Sequence, residues 1–458
     1  MARAETSIVR FLRRNRLHPS GIDLRGCCDA FVQEMTRGLQ GRPSSLPMIA
    51  TYIETARAVP RGERVISLDA GGTNMRVAGV SFDGSGTPII DGLARHRMPG
   101  VDAALSREEF FRALADAVRP HLHGNDRIGF CFSYPAEITA EKDGRLIQFT
   151  KEIKAKGVEG QLVGAGLSAA LSSSRAATPA ASPTGTPAAS PTGTPAATGD
   201  ARIVLLNDTV ATLLAGRNAV PGRRFDDFIG LVCGTGLNAA YVEQNAFIKK
   251  IPGIQSAGSQ VVNTESGSFA RGGSGPVDDA FDLTMANPGK YRHEKKISGA
   301  YLGALCLFAA QSAARAGCFS ADAGRALDRV AGLSTRELND FLLFPDSAEN
   351  PLGAVCTGQP ANDARGLYVL CDSIVERAAA LVAVTLAAIL LKTGKGRDPR
   401  YPVCITVDGT TFWQLRSFHA RVESWMRILL SADRSRAWEI TSVSDAPLLG
   451  AAIAALTN

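Results

Sequence analysis

Apolar and polar positions alternate in two rhythms along this chain. Short runs rich in β-branched and aromatic residues lie at Arg64–Leu68, Arg127–Phe132, Arg202–Leu206, Phe228–Cys233 and Val403–Val407. They read as strands. Longer stretches with helical spacing lie at Arg107–Leu122, Ile297–Ala316 and Leu367–Lys392. Strands interleaved with helices predict an α/β protein built on parallel or mixed sheets. The longest apolar run, Ala378–Leu391, is flanked by Arg377 and Lys392. It is shorter than a bilayer requires and reads as a buried core helix. Near the N-terminus, Ile8, Val9, Phe11 and Leu12 sit among arginines, which suits a short amphipathic helix docked on the body. A membrane-touching or targeting role is the alternative, although no secretory h-region or cleavage site accompanies it.

One segment breaks both rhythms. Residues 172–199 are almost wholly Ser, Ala, Thr, Pro and Gly, with an eight-residue repeat from Thr178 to Gly185 copied at 186–193. Such a stretch cannot bury apolar surface and is expected to be a mobile insertion. It is a spacer or modification target, or simply a tolerated loop expansion.

Composition narrows the classes. The chain has 458 residues, 45% hydrophobic and 21% charged, with a mean hydropathy of +0.02. That allows two or three domains. The net charge of +6 is scattered rather than striped, which argues against a nucleic-acid partner. Nine cysteines include no C-x-x-C pair and read as free thiols in a reducing, cytoplasmic setting. His121 and His123 are expected to be a surface pair rather than zinc ligands.

The chemistry begins where the strand from Arg64 runs into Asp69 and then Gly71-Gly72-Thr73-Asn74. A Rossmann or P-loop site would start a helix here. Instead Arg76, Val77, Ala78, Val80 and Phe82 continue as a strand. Two glycines at the bend let backbone N–H groups approach an anion, and Thr73 adds a donor. Asp69 can hold Mg²⁺ through water. A second copy of the design, about 160 residues on, has an apolar strand, Gly234-Thr235-Gly236, Asn238 and another strand. Paired bends point to two related halves gripping one nucleotide, ATP. A third strand ends in Asn207-Asp208, with Thr209 opening a helix. A carboxylate there can accept a hydroxyl proton during phosphoryl transfer, or it merely caps the helix.

Taken together these motifs resemble the hexokinase family. Leu68–Val77 is similar to LDLGGTNFRV, and Val407-Asp-Gly-Thr410 to the adenosine motif VDGS. Phe132–Pro135 followed by Gln148–Gly160 resembles FSFP…WTKGFKASGVEG, and Asn207–Thr212 resembles NDTVGT. Asn287–Gly303 resembles NPGKxxFEKMISGxYLGE, and Ser45–Ile53 resembles SLPMLPTYI. The resemblance runs from about residue 30 to the C-terminus.

It implies a two-domain actin-like (ribonuclease H-like) α/β fold with a ligand cleft between a small and a large domain. Residues 1–63 would be an N-terminal helical segment of the large domain, 64–206 the small domain, 207–445 the large domain, and 446–458 a helix returning to the small one. Asp208 would be the general base toward the 6-hydroxyl of glucose, with mannose and fructose as further substrates, in the first step of glycolysis. Lys151 would neutralise the transferring phosphoryl. Ser133, Thr150, Lys151, Asn207, Asn238, Glu265 and Glu294 would bind the sugar, whose rim of hydroxyls suits such donors and acceptors. Asp69, Gly71, Gly72, Thr73, Asn74 and Arg76 would line the phosphates and Mg²⁺, Gly234, Thr235 and Gly236 the other side, and Gly409 and Thr410 the adenosine. A monomer or homodimer without stable membrane association would result.

The chain departs from the pattern at Ser266 (Trp in the family), at Glu152-Ile153 (Gly-Phe) and at Ala446-Pro447 (Gly-Ser). These departures would loosen one wall of the sugar site and weaken purine contacts. Two other readings share parts of this evidence. A sugar-sensing relative without turnover would have no need of Asp208 with Lys151. An actin- or chaperone-like ATPase would share the bends but not Ser133, Thr150, Glu265 and Glu294 together.

Overall fold

The computed structural model describes residues 7–122, 127–149, 153–173, 201–218, 220 and 222–458. In chain order the strands are β1 (Ile49–Ala50), β2 (Val65–Gly71), β3 (Asn74–Phe82), β4 (Pro88–Arg97), β5 (Arg127–Phe132), β6 (Ala136–Ile138), β7 (Gly144–Leu146), β8 (Arg202–Leu206), β9 (Asp227–Cys233), β10 (Leu237–Gln244), β11 (Ser259–Asn263), β12 (Val403–Asp408) and β13 (Trp438–Thr441). The five apolar runs of the sequence lie on β2, β5, β8, β9 and β12.

Two mixed sheets organise the molecule. One runs β4-β3-β2-β5-β8 and the other β1-β11-β10-β9-β12-β13. In the first, β2, β3 and β4 form an antiparallel meander, while β5 and β8 add in parallel. In the second, β9, β10 and β11 repeat that meander, while β12 and β13 add in parallel. The halves therefore share one topology, with each glycine bend joining the first two strands of its meander. β6 and β7 pair separately.

Two helices join the sheets. Asp208–Gly216 leaves β8 and packs on β9, and the last helix, Ala446–Thr457, packs on it and on β2 and β5. Gly450 makes their contact possible, because a Cβ there would lie 1.9 Å from the Ala211 carbonyl oxygen. Ser67 Oγ also donates to Leu448 O at 2.6 Å, tying β2 to the last helix.

The second lobe is built around a helix longer than its apolar run. Ala361–Thr393 spans 33 residues, long and apolar enough by composition to cross a bilayer, yet 89% of its most apolar window is buried inside the protein. It packs against helices Leu24–Leu39 and Phe418–Leu429 and ends at Gly394 in the left-handed region. Helix Ser7–Arg14 docks through buried Ile8 and Leu12, which favours the structural reading of that segment.

Helix boundaries moved for local reasons. The segment expected to be helical to Leu122 stops at Val118, because Pro120 forces a 3₁₀ turn over Arg119–His121. The helix expected from Ile297 begins at Leu302, because the preceding residues are drawn into the second glycine bend. His121 is buried rather than on the surface, and His123 lies outside the described residues. Ser172 and Ser173, assigned to the insertion, close helix Val163–Ser173; the rest of 172–199 lies outside the described residues.

Candidate active site

The first bend is a two-residue turn, Gly72-Thr73, closed by Gly71 opposite Asn74. Register places Arg76 directly across from Asp69. The Arg76 guanidinium donates from Nη2 (2.7 Å) and Nε (3.0 Å) to Asp69 Oδ2, and from Nη1 to Asp445 Oδ1 at 2.5 Å. Arg76, expected beside the phosphates, thus ties the bend to the start of the last helix. Asp69 is buried, and burial pushes its carboxyl above the usual range against the pull of Arg76, with Asp408 adding to the rise. Tyr134 Oη donates to Gly72 O, and Ser133 N to Ala70 O at 3.2 Å, so the turn after β5 braces the bend.

The second bend, Gly234–Gly236, is braced from two sides. Gly234 O accepts from Gly299 N (2.8 Å) and Thr411 Oγ1 (2.9 Å), and Thr235 O from Ala300 N (3.1 Å). Gly409, at φ +121°, lies against it: a Cβ there would be 2.4 Å from the Cys233 carbonyl. Gly234, Gly409 and Thr410 therefore meet in one corner, while the Thr235 side of the bend stays open.

Asp208, at the first residue of the helix after β8, lies within electrostatic reach of Asp69 and Asp408. Asn207, not Asp208, caps the helix: its Oδ1 accepts from Thr209 N at 2.9 Å. Asp208 Oδ1 accepts from Thr209 N (2.7 Å) and Thr209 Oγ1 (3.1 Å), while its Oδ2 accepts no hydrogen bond among the described residues. Burial raises its pKa above the ordinary value. Thr209 opposes the rise, and the charges of Asp69 and Asp408 add to it. One carboxylate thus feels both the first bend and the strand end beside the second.

A polar array continues from there. Glu265 Oε1 accepts from Asn263 Nδ2 (2.8 Å) and Asn238 Nδ2 (3.1 Å), and Asn238 Nδ2 also donates to Asn263 Oδ1 at 2.7 Å. Glu265 holds a left-handed backbone at φ +54°, a conformation costing a side-chain-bearing residue about 1–3 kcal/mol and typical of functional sites. Glu294 Oε2 accepts from Leu237 N at 2.8 Å. Burial raises both carboxyls, Asp208 adds to the rise at Glu265, and Glu265 adds to that at Glu294. Among the described residues none of Asp208, Glu265 and Glu294 has an ion-pair partner. Half-buried carboxylates raised by one another's charge, with only Lys295 opposing the rise at Glu294, mark a candidate ligand site.

Sequence reasoning passed over Asn263, Tyr134 and Thr411. Asn263 carried a signal, since it stands two residues before Glu265; the other two act through contacts distant in the chain. Ser266 is fully buried, with its N–H directed to Asn238 Oδ1 at 3.3 Å and its hydroxyl without a partner among the described residues. Pro447 sits in the first turn of the last helix, where its missing N–H matters least. Thr150, Lys151 and Glu152 lie outside the described residues.

The acidic donors suit Mg²⁺ by chemistry. Asp69 and Asp408 offer only oxygen, and Mg²⁺ commonly takes one or two carboxylates, with waters and phosphate oxygens completing its shell. Among the described residues no three His, Cys, Asp or Glu side chains gather into a protein cage for a metal.

Comparison with known proteins gives the family and the fold. Two family models, both described as hexokinase, match residues 13–218 and 228–457. Hexokinase-1 of Oryza sativa subsp. japonica is 31% identical, covering 94% of this chain and 86% of its own length. Hexokinase-1 of Arabidopsis thaliana is 28% identical, covering 95% and 88%. The fold is that of a hexokinase from Schistosoma mansoni solved with glucose (24% identity, TM-score 0.72) and of another hexokinase crystal structure (21%, 0.75), each alignment covering 98% of both chains.

Proposed function

The chain belongs to the hexokinase family and carries its activity, phosphoryl transfer from ATP to a hexose, and from that premise we propose that Asp208 is the general base for the 6-hydroxyl of glucose, with mannose and fructose as further acceptors. The observation supporting this most directly is the position of Asp208. Its carboxylate is within electrostatic reach of Asp69 on one bend, Asp408 beside the other, and Glu265 in the polar array. An acceptor hydroxyl held at Oδ2 would lie between a nucleotide tail and a sugar-binding wall. A raised pKa makes the carboxylate a better proton acceptor near neutrality than an exposed aspartate.

The remaining residues divide the work. Asn207, Asn238, Glu265 and Glu294, with Ser133 and Thr150, hold the hexose; their mix of amides, hydroxyls and carboxylates matches a rim of hydroxyls that both donate and accept. Gly71–Asn74 and Thr235–Gly236 offer backbone N–H groups to the phosphates, Gly234 shapes the second bend by donating its own N–H to Gly236 O at 3.0 Å, and Gly409 and Thr410 border the adenosine. Lys151 neutralises charge on the phosphoryl in flight. Asp69 would hold Mg²⁺ through water, and the ion would screen the charge of the phosphates. Arg76 acts one step back, fixing Asp69 and the bend against Asp445. Residues 64–206 and 446–458 form the small domain in this reading, and 1–63 and 207–445 the large one. All nine cysteines are unpaired, which supports a reducing compartment such as the cytoplasm.

The test is a coupled assay with Mg²⁺, ATP and a sugar panel. Asp208→Asn keeps the shape and removes the base. We expect kcat to fall by about 10²–10⁴-fold, with glucose still bound. Wild-type turnover in that variant would remove the base assignment, and ATP hydrolysis indifferent to any sugar would remove the proposed hexose site.

A further inference from the structure

Glu294 sits in an unusual run. The motif it belongs to reads FEKM in the family pattern, but His293-Glu294-Lys295-Lys296 here. The Phe and Met positions are thus filled by His293 and Lys296, and both are fully enclosed, at 0% and 2% exposure. Two side chains expected to anchor this segment by apolar packing are polar instead.

The structure explains how they are tolerated. Lys296 Nζ donates to Gly272 O at 2.7 Å and Ser274 Oγ at 3.0 Å. His293 Nε2 lies 3.1 Å from Thr385 Oγ1 on the long core helix, and the His293 N–H reaches Gly267 O at 3.1 Å. Lys295 pairs with buried Asp282 and donates to Asn287 O at 2.7 Å. Beside Lys296, the buried Arg377 guanidinium grips Asp278 with two bonds, at 2.8 and 2.9 Å. Glu294 is therefore the half-exposed member of a run whose neighbours are each bonded into the protein interior.

We propose that Lys296 is a positioning residue for the hexose site: it replaces an apolar anchor with a charged tie between the Glu294 segment and the Gly272–Ser274 turn, so hexose affinity follows the charge on a residue that does not touch the sugar. This rests on Glu294 being a hexose ligand. An ammonium donates about twice as strongly as a neutral amine, and losing its proton weakens both bonds to the turn at once. The groups facing it are Asp278, which favours the charge, Arg377 and Arg292, which oppose it, the Cys27 thiol and neutral His293. Burial, the largest influence, lowers the pKa of Lys296 to about 8, so the tie changes within an ordinary assay range. A small cavity of about 10 Å³, lined in part by Ser274, Asp278 and Lys296, borders the ammonium.

The test compares wild type with Lys296→Met, the residue of the family pattern, measuring KM for glucose and kcat from about pH 7 to pH 9 at saturating ATP and Mg²⁺. In the wild type KM should rise about fivefold through pH 8, with kcat changing less than about twofold, as weakening of the two charge-assisted bonds to the turn implies. In Lys296→Met, KM should stay flat over that range. An equal rise in both proteins, or a flat wild-type KM, overturns the proposal. The double variant His293→Phe/Lys296→Met restores the full apolar pair and carries the same comparison if the single variant folds poorly. Glu294→Gln separates the two layers. If it binds glucose as tightly as wild type, the hexose assignment of Glu294 fails. If it weakens binding while Lys296→Met keeps the pH-dependent KM, only the role of Lys296 fails.

Discussion

Replacing Gly409 with alanine tests whether the second bend is a rigid phosphate cradle. The residue sits at φ +121° and ψ 138°, a region that side-chain-bearing residues rarely enter. Holding alanine there costs about 1–3 kcal/mol. The added Cβ would also lie 2.4 Å from the carbonyl carbon and oxygen of Cys233 and 2.6 Å from Gly234 N, all backbone atoms without a rotamer to yield. Overpacking of that kind adds about 1–3 kcal/mol. The total of about 2–6 kcal/mol can be relieved only by separating the β12 turn from the bend, which strains the bonds from Gly299 N and Thr411 Oγ1 to Gly234 O. We expect KM for ATP to rise at least about tenfold, since roughly 1.4 kcal/mol of displaced phosphate contact suffices for that. KM for glucose should move much less. Gly62→Ala is the control: Gly62 also has a positive φ, +73°, but a Cβ there meets nothing within 4 Å. Steady-state kinetics in both substrates and thermal melting of the two variants decide the matter. If Gly409→Ala matches Gly62→Ala in melting temperature and retains the wild-type KM for ATP, the close approach is not what shapes the nucleotide site.

Three further outcomes follow from charge and burial. Because the Asp208 carboxyl is held above its ordinary value, kcat/KM should decline as pH drops through that raised pKa, so the acid limb of the pH–rate profile should lie above the range of an exposed aspartate. Asp227, at the start of β9, has its pKa pushed up to about 7, foremost by burial. The unfolded chain ionises it near 3.8 and the folded one near 7, so stability is lost as pH rises through that window. Asp227→Asn should therefore stabilise by about 2–4 kcal/mol at pH 8 and hardly at all near pH 4 in denaturant titrations. Arg377→Met strands Asp278 in the core and should cost about 3–5 kcal/mol, whereas Arg377→Met/Asp278→Leu should recover much of it; equal losses in the two variants would mean the pair is not the source.

What the chain reveals locally and what it hides divide along contact range. The strands ending at Gly71, Leu206 and Cys233 were readable because apolar runs punctuated by glycine or a polar pair encode a strand and its stop within ten residues. Asp208 was ambiguous in the sequence, since a carboxylate at such a strand end can cap the following helix as readily as take a proton; the structure gives the cap to Asn207. By contrast, Arg76 belongs visibly to a strand, but nothing near it announces Asp445, 369 residues away, as its partner. The same holds for Thr411 at Gly234, 177 residues away. Asn263 was hidden differently, since its side chain serves the site by orienting Asn238 and Glu265. His121 escaped because a histidine in a polar stretch looks solvent-exposed until the turn at Pro120 folds it under β4.

The polar array also bears on how the sugar binds. Asp208, Glu265 and Glu294 carry raised pKa values because burial desolvates them and neighbouring carboxylates repel them: Asp69 and Asp408 at Asp208, Asp208 at Glu265, and Glu265 at Glu294. A hexose hydroxyl donating to a carboxylate stabilises the ionised form, which pulls these values back down. Any proton the array holds must then leave as a hexose enters. Binding should therefore release protons below neutrality, and affinity should climb with pH until the array is ionised in the free protein. Calorimetric titration with glucose near pH 5.5, in buffers of different ionisation enthalpy, measures that release. Glu265→Gln should reduce it, because one repelling charge and one titrating group disappear together. Proton uptake on binding, or an unchanged release in that variant, would mean that the carboxylates do not meet the sugar as donors' partners and that their raised values have a purely structural origin.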